Sequence, residues 1–293
     1  MKKTFLTLTM SALLAAPFAV NAFEHKEDVA KHQAVAGSVI TEQRAALAKN
    51  TEGKGFGPQA PRDIDAVKGN NRRASNVAPA SKKMNLCNIH FHRNAEHKSK
   101  DFSTYAGNGK GYENGYKYSG KLSHQELKPL KHEVCSKHHG HDALQSGDTI
   151  EVHYVYTTAQ VKPGPGLESC FNKGVINNPQ LRVETQVYVI VNDKHALDFK
   201  DLTQVDKNKS GLYQAVGIPN NTGKAVQYEG STTGPSYHKI GSPYHVSWSV
   251  RPQVAKVNIK TVGKWCEGNI FDENHGHGVR NLIKNPDLLS HIN

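Results

Sequence analysis

The segment Asn88-Ile89-His90-Phe91-His92-Arg93-Asn94-Ala95-Glu96-His97 decides the fold, together with Thr149-Ile150-Glu151-Val152-His153-Tyr154-Val155-Tyr156. Both segments are rich in β-branched and aromatic residues and predict β-strands. Side chains two positions apart lie on the same face of a strand, so His90 and His92 point the same way. If the two strands are neighbours, His153 of the second segment converges with them on one point.

Three neutral imidazoles around an open fourth position form the coordination shell of a catalytic zinc ion, whereas a structural site more often closes the shell with a fourth ligand such as Cys. The apolar residues Ile89 and Phe91 indicate that the first strand is buried. A buried histidine needs a hydrogen-bond partner or a metal, because an unsatisfied buried polar group costs about 1–3 kcal/mol. We therefore expect His90, His92 and His153 to bind zinc.

Glu151 lies two positions before His153 and shares its face of the strand. Histidines that bind a metal usually donate their other N–H to a carboxylate or a carbonyl. Glu151 is therefore predicted to orient one of the three histidines, and the spacing alone leaves open which one. Glu96 is predicted to accept a hydrogen bond from a hydroxyl group that orients the reacting species.

The first 22 residues have the pattern of an export signal peptide. Lys2 and Lys3 precede an apolar core at 5–20, and Val20-Asn21-Ala22 forms a small-residue cleavage site. The apolar core is too short for a transmembrane helix, and no other run approaches about 20 residues. We expect a soluble protein outside the cytoplasm, in the bacterial periplasm.

The chain is strongly basic, with 37 Lys and Arg against 26 Asp and Glu. In a cytosolic protein this charge would favour a nucleic-acid partner, but export argues against one. A solvated basic surface is the preferred interpretation. The functional alternative is attraction to an anionic envelope surface, or steering of an anionic substrate or product.

Four cysteines, Cys87, Cys135, Cys170 and Cys266, are expected to enter an oxidising compartment. They show no C-x-x-C zinc pattern. We expect two disulfides, and the sequence does not separate the three possible connectivities.

The chain is predicted to contain an N-terminal arm at 23–54, with a short helix at 38–49, and a single domain at 55–293. The β signal dominates this domain, with strands predicted at 86–93, 149–157, 181–192, 225–229, 244–250 and 254–262. Long loops are predicted between these strands, at 105–147 and 157–180. The fold class is mainly β, a single domain around a central, mostly antiparallel sheet with long loops and few short helices.

A third segment, Tyr228-Glu229-Gly230-Ser231-Thr232-Thr233-Gly234-Pro235, is followed by Val246-Ser247-Trp248. Alone it predicts an ordinary turn of small residues. Its interest lies in its position after the two histidine-bearing strands.

Taken in order, these segments resemble carbonic anhydrases. The stretch Gln59-Ala60-Pro61-Arg62-Asp63-Ile64-Asp65 is similar to the Q-S-P-x-D-I segment of the α class. His90-Phe91-His92 resembles its H-F-H strand, and Glu96-His97 the E-H that follows. The stretch at 151–155 resembles E-L-H-L-V, the one at 228–235 resembles Y-x-G-S-L-T-T-P-P, and the one at 246–248 resembles V-T-W. The long inserts and the basic, cysteine-bearing form look closest to the δ class, known first from marine diatoms.

The resemblance implies a zinc enzyme that hydrates carbon dioxide reversibly to bicarbonate and a proton, by attack of zinc-bound hydroxide. It implies His90, His92 and His153 as the zinc ligands, with Glu151 bracing one of them. Thr233 would accept a hydrogen bond from the hydroxide and donate one to Glu96. A one-residue gap in the alignment would give this role to Thr232.

The resemblance also implies an apolar pocket that receives carbon dioxide. Val155, Trp248 and one of Val187 or Val189 would line it. No organic-cofactor motif of the form G-x-x-x-x-G-K-[ST] or G-x-G-x-x-G occurs. Zn²⁺ is the expected cofactor, and carbon dioxide and bicarbonate are the expected small-molecule partners.

The chain departs from the α-class motif N-N-G-H, which carries a proton-shuttling histidine. The similar stretch here ends in Arg73, and arginine keeps its proton near neutrality. Candidates for a replacement are His97, His138, His139 and His141. Gly234 replaces the second Thr of T-T-P-P, which puts a substrate-orienting contact in doubt.

Two histidine-rich stretches, at 138–141 and 275–277, are interpreted as exposed loop histidines rather than metal ligands. Two alternative functions stay open. One is a catalytically silent periplasmic zinc-binding or interaction module on the same scaffold. The other is a zinc-dependent ester hydrolase, which a wide pocket would favour.

Overall fold

The computed structural model describes residues 49, 59–72, 76–108, 114–136, 143–171, 179–232, 244–280 and 282–293. The predicted signal peptide and, apart from Lys49, the predicted arm helix lie outside the described residues. So do Arg73, His138, His139, His141 and Thr233. All the described residues belong to one unit of the chain, His32–Asn293.

A six-stranded sheet forms the centre of the described structure. In spatial order it contains β1 (Asn85–Arg93), β4 (Thr149–Thr157), β5 (Leu181–Val191), β9 (His245–Val250) and β8 (Val226–Ser231), and β10 (Ala255–Asn258) also pairs with β5. The β1–β4, β4–β5 and β8–β9 pairs are antiparallel, whereas β5 pairs in parallel with both β9 and β10. The predicted mainly β fold is confirmed, and the sheet is mixed.

Shorter elements surround this sheet. Two antiparallel pairs lie outside it: β2 (Thr104–Asn108) with β3 (Asn114–Lys117), and β6 (Val205–Lys207) with β7 (Tyr213–Ala215). The described helices are α1 (Phe199–Leu202), α2 (Ile259–Cys266) and the 3-10 turns Ser81–Lys83, Leu167–Cys170 and Pro286–Leu288. The pair β2–β3 lies in a Gly-rich region that we predicted to be a loop. Among the described residues no helix has the length and apolar character to cross a membrane.

The strand predicted at 254–262 is wrong in its second half, because the chain turns from β10 into α2 at Ile259. The Asn258 side chain accepts a hydrogen bond from the Lys260 backbone N–H and so caps the helix. Ile259, Val262 and Trp265 are the buried residues of the helix, and their spacing of three is that of a helix face. The apolar run that we interpreted as a strand is therefore split between two elements.

The register of β1 on β4 places His90 opposite His153 and His92 opposite Glu151. The other face of this strand pair carries Ile89, Phe91 and Val152, which belong to the larger hydrophobic cluster. A second hydrophobic cluster lies on the histidine side of the sheet and includes Val155 and Trp248. The histidines therefore project from a sheet that is packed on both faces.

Two disulfides are present, as predicted. They join Cys87 to Cys170 and Cys135 to Cys266. The first ties β1, three residues before His90, to the 3-10 turn Leu167–Cys170. The second ties the segment that follows β3 to Cys266, the last residue of α2.

Candidate metal centre

Three histidine rings converge beside the β1–β4 pair. One ring nitrogen each of His90, His92 and His153 lies within 4.8 Å of the other two. The ring centroids of His92 and His153 are 4.7 Å apart, and those of His90 and His153 are 5.1 Å apart. The predicted convergence follows from strand pairing, because His90 and His153 are direct cross-strand neighbours.

Each of these rings is oriented by a hydrogen bond through its other nitrogen. His90 Nδ1 donates to Asn88 Oδ1 at 2.6 Å, and His92 Nδ1 donates to the Gly278 carbonyl at 2.9 Å. His153 Nε2 donates to Glu151 Oε1 at 2.7 Å. Of the three rings, Glu151 thus contacts that of His153; the sequence alone left open which ring it would contact.

The nitrogens that remain are His90 Nε2, His92 Nε2 and His153 Nδ1. His92 Nε2 is buried and has no hydrogen-bond partner among the described residues. An orphaned imidazole nitrogen beside two others suits a Zn²⁺ ion, which takes neutral histidine nitrogens as ligands. The residues present therefore fit a three-histidine zinc site.

Burial keeps these histidines neutral. It lowers the pKa of His92 to about 4, aided by the neighbouring His277. Burial also lowers the pKa of His90 well below its usual value, and the other histidines add to this effect. The pKa of His153 is likewise lowered by burial, although its hydrogen bond to Glu151 opposes the shift. Neutral imidazoles are the form in which histidine binds a metal.

Glu151 is fully buried at the centre of a hydrogen-bonded network. Besides His153 it accepts the His97 Nδ1–H at 2.7 Å and the His97 backbone N–H at 3.0 Å. His97 Nε2 in turn lies 2.6 Å from the Tyr228 hydroxyl. Burial alone would raise the pKa of Glu151, but His97 and His153 outweigh it and lower the pKa. Glu151 is thus held as a carboxylate.

The same network removes His97 from the candidates for proton transfer to solvent. His97 is 0% exposed, and both of its ring nitrogens are engaged in hydrogen bonds. It has no nitrogen left to exchange protons with water. His97, Glu151 and His153 also lie close enough to suit a metal, but their hydrogen bonds to one another already satisfy the atoms concerned.

Glu96 lies behind the histidines, fully buried. Its Oε1 accepts the Arg280 backbone N–H at 3.3 Å. Its Oε2 has no hydrogen-bond partner among the described residues and lies 3.9 Å from His153 Nε2. Burial raises the pKa of Glu96, and His153 opposes this shift. Of the two candidate threonines, Thr232 lines the cavity that opens in front of the three histidines, and Thr233 lies outside the described residues.

A cavity of about 240 Å³ opens in front of the three histidines. Its apolar wall follows the register of three adjacent strands, in which Val155 lies opposite Val183 and Val183 opposite Trp248. Val155 and Trp248 line the cavity as the resemblance implied. Val187 and Val189 do not line it but are completely buried nearer the other end of β5. From β5 the wall instead contains Val183, the cross-strand partner of Val155, and Leu181 at the start of the strand.

Besides the apolar wall residues, the sequence analysis did not identify Asn88, Glu273, His277 and Gly278 as residues of the site. Asn88 was detectable, since it lies two positions before His90 on the same strand. Gly278, Glu273 and His277 come from a distant segment that pairs with β1 through His92. His277 was interpreted as an exposed loop residue, yet it lines the cavity and its Nε2 lies 2.6 Å from Glu273 Oε2.

Gly276 explains how this segment reaches β1. A Cβ atom there would lie 3.1 Å from Phe91 Cε2 and 3.2 Å from the Arg93 backbone nitrogen, closer than ordinary contacts. The missing side chain lets the segment approach the strand edge. No short-range sequence signal predicts this pairing.

The family model described as Delta carbonic anhydrase matches residues 81–261. No curated protein matches the chain. Among solved structures, the alpha-carbonic anhydrase of Photobacterium profundum is 14% identical and has a TM-score of 0.29, and the match covers 86% of this chain and 94% of that one. The alpha-carbonic anhydrase from Thermovibrio ammonificans, solved with the inhibitor sulfanilamide, is 14% identical with a TM-score of 0.27, and 81% and 88% of the two chains are covered.

Proposed function

Because the chain belongs to the delta carbonic anhydrase family, we propose that it reversibly hydrates carbon dioxide to bicarbonate and a proton, with Zn²⁺ as its cofactor. The observation that carries this proposal is the convergence of three ring nitrogens, of which His92 Nε2 is buried without a partner among the described residues. A buried polar atom in that state costs free energy unless a ligand satisfies it.

His90, His92 and His153 would hold the ion. Zinc bound by three histidines lowers the pKa of a water ligand to about 7, which supplies a nucleophile at neutral pH. The chain's own contribution is to keep each ring in one tautomer. Asn88, Gly278 and Glu151 do this, because each accepts the hydrogen of the nitrogen that faces away from the shared point.

Glu96 is proposed to set the direction of the hydrogen bonds at the reacting centre. Burial raises the pKa of Glu96, whereas His153, His97 and the Arg280 backbone N–H favour its ionised form. In the ionised form Oε2 can only accept, so a threonine hydroxyl that reaches it must donate its one hydrogen there. The threonine oxygen then has only acceptor capacity left for the reacting water. Thr233 is proposed for this role, with Thr232 as the alternative.

The cavity favours a small apolar substrate. Its volume of about 240 Å³ lies below the roughly 300–1,000 Å³ of drug-sized ligand pockets. The wall formed by Val155, Val183 and Trp248 offers no hydrogen bond to an ester carbonyl, apart from the indole N–H, which already donates to the Ser231 carbonyl at 3.1 Å. Carbon dioxide fits these surroundings better than an ester does.

The test is stopped-flow hydration of carbon dioxide by the zinc-loaded protein, beside His153→Ala. We expect hydration well above the buffer rate that His153→Ala abolishes and a sulfonamide inhibits. His195→Ala is the matched control, because His195 is exposed and does not line the cavity, and it should keep full activity. A wild-type protein that binds one zinc but hydrates no carbon dioxide at any buffer concentration would overturn the enzymatic proposal in favour of a silent zinc-binding module.

Export to the periplasm is part of the proposal. It is supported by the signal-like residues 1–22 and by the pairing of Cys87, Cys135, Cys170 and Cys266 into two disulfides, which are typical of oxidising compartments. N-terminal sequencing of the mature protein should begin at Phe23. An intact Met1 in a cytoplasmic fraction would contradict it.

A further inference from the structure

Arg62 is a buried arginine close to the metal centre but outside the cavity. It is 0% exposed. One terminal nitrogen donates to the Ser290 carbonyl at 2.6 Å, and the other donates to the Ala66 carbonyl at 3.1 Å. Among the described residues it forms no ion pair. A buried guanidinium without a carboxylate partner is costly, so its position calls for an explanation beyond these two bonds.

The third contact of Arg62 is with Tyr228. The guanidinium carbon lies 5.2 Å from the centre of the Tyr228 ring, a cation–π contact. The same ring is stacked on Trp248, with the two planes 7° apart and the centroids 6.3 Å apart. Arg62 and Trp248 therefore fix the plane and position of the Tyr228 ring, and with them the position of its hydroxyl group.

The Tyr228 hydroxyl begins a chain of hydrogen bonds that ends at a metal ligand. His97 Nδ1 faces the Glu151 carboxylate and must carry the hydrogen, so in the neutral ring His97 Nε2 accepts from Tyr228. Glu151 Oε1 then accepts from both His97 and His153. A displacement of the hydroxyl would therefore be passed to the carboxylate that orients His153.

We propose that Arg62 is a positioning residue of the metal centre, which acts on His153 through Tyr228, His97 and Glu151. The inference rests on the proposed zinc site and extends it by one residue that touches neither the cavity nor the metal ligands. The planar guanidinium suits this role, because it stacks on an aromatic face while its nitrogens reach two carbonyls at the same time.

The test is a double-mutant cycle read as zinc affinity, measured by chelator competition on wild type, Arg62→Met, Tyr228→Phe and the double variant. Outer contacts of metal ligands typically contribute 10–100-fold to metal affinity, so we expect each single variant to raise the zinc Kd about 10-fold. The double variant should be no weaker than Tyr228→Phe, because both changes break the same chain. Independent effects that multiply in the double variant would overturn the proposal.

Arg182→Met is the matched control. Arg182 is also buried and donates to two backbone carbonyls, those of Pro79 at 2.7 Å and Ala78 at 2.6 Å. We expect it to lower the Tm much as Arg62→Met does, with an unchanged zinc Kd and an unchanged visible spectrum of the cobalt-substituted protein. Arg62→Met should alter that spectrum. An equal loss of zinc affinity in Arg182→Met would mean general loosening of the fold and would refute the role of Arg62.

If Arg62→Met does not fold, Arg62→Lys replaces it. Lysine keeps the charge but not the stacked fork, so the zinc Kd should rise less, and again not at all on the Tyr228→Phe background. A wild-type protein that takes up no zinc would overturn the proposed function and this inference together. If the wild type binds zinc but the effects of Arg62→Met and Tyr228→Phe on the zinc Kd multiply in the double variant, this inference alone would be overturned.

Discussion

The two faces of the β1–β4 pair are both buried, but one is packed with apolar side chains and the other with hydrogen-bonded polar ones. One face presents Ile89, Phe91 and Val152, each 0% exposed, to the larger hydrophobic cluster. The other presents His92 and His153, which are 4% and 2% exposed. The apolar face needs only side chains of complementary shape, whereas the polar face needs a specific hydrogen-bond partner for nearly every nitrogen and oxygen.

The comparison shows where function is concentrated in this sheet. On the apolar face any side chain of similar volume can fill the space at modest cost. On the polar face each hydrogen-bond partner is specific, and the histidine ring nitrogens without a hydrogen bond converge on one point. Changes on the apolar face should therefore affect stability, and changes on the polar face should affect metal binding.

His92→Ala should produce the largest difference between the effect on metal binding and the effect on stability. We expect complete loss of stoichiometric zinc, because one of three ligands is gone. The unfolding free energy of the apo protein should change by only about 1–2 kcal/mol, since the variant also removes the buried, unsatisfied Nε2 atom. Metal analysis and denaturant unfolding of the apo protein would check both. Zinc retained at one ion per chain would contradict the ligand set.

Phe91→Ala should give the opposite pattern. Phe91 is fully buried against Phe199 and Trp265, and truncation of a buried Phe costs about 3–5 kcal/mol. We expect that loss in the unfolding free energy, with one zinc still bound wherever the protein is folded. Phe91→Leu is the milder control. Loss of zinc from folded Phe91→Ala would show that the two faces are not independent.

The pH dependence of the apo protein should also come from the polar face. The pKa of His92 is about 4 in the folded state against an ordinary value of 6.5, so the unfolded chain takes up its proton first. The contribution of His92 to the unfolding free energy is therefore fully present above pH 6.5. It declines by about 3 kcal/mol as the pH falls towards 4. Apo unfolding from pH 7 to 4 would check this. An equally steep decline in His92→Ala would assign it to other groups.

Asn88→Ala should have the smallest effect. It removes the acceptor for His90 Nδ1 and leaves all three ligands in place. We expect the zinc Kd to rise about 10-fold, equivalent to about 1.4 kcal/mol, because the ring loses its fixed tautomer and orientation. Chelator competition measures this change. An unchanged Kd would mean that the strand alone holds His90.

The cluster of three histidines was predictable because its pattern is local. Alternation along a strand puts His90 with His92, and cross-strand pairing then needs only the correct neighbour, β4. The same rule would have identified Asn88. The helical part of 254–262 was missed because a short apolar run fits a strand and a helix face equally well.

The remaining parts of the site depend on contacts between distant segments. His277 reaches the cavity by pairing with β1, and Arg62 contacts Tyr228 although it lies much earlier in the chain. Neither contact leaves a periodic signal, because it is set by the tertiary fold. The pairing of Cys87 with Cys170 is of the same kind.

The bond between Arg62 and the Ser290 carbonyl joins residues 228 positions apart. A chain that emerges amino end first therefore displays His90, His92 and His153 long before it has Gly278, which contacts His92, and Ser290, which contacts Arg62. Contacts over such separations form slowly. We expect an ion at the proposed zinc site to exchange readily while the chain is assembling and slowly once residues 286–293 have docked.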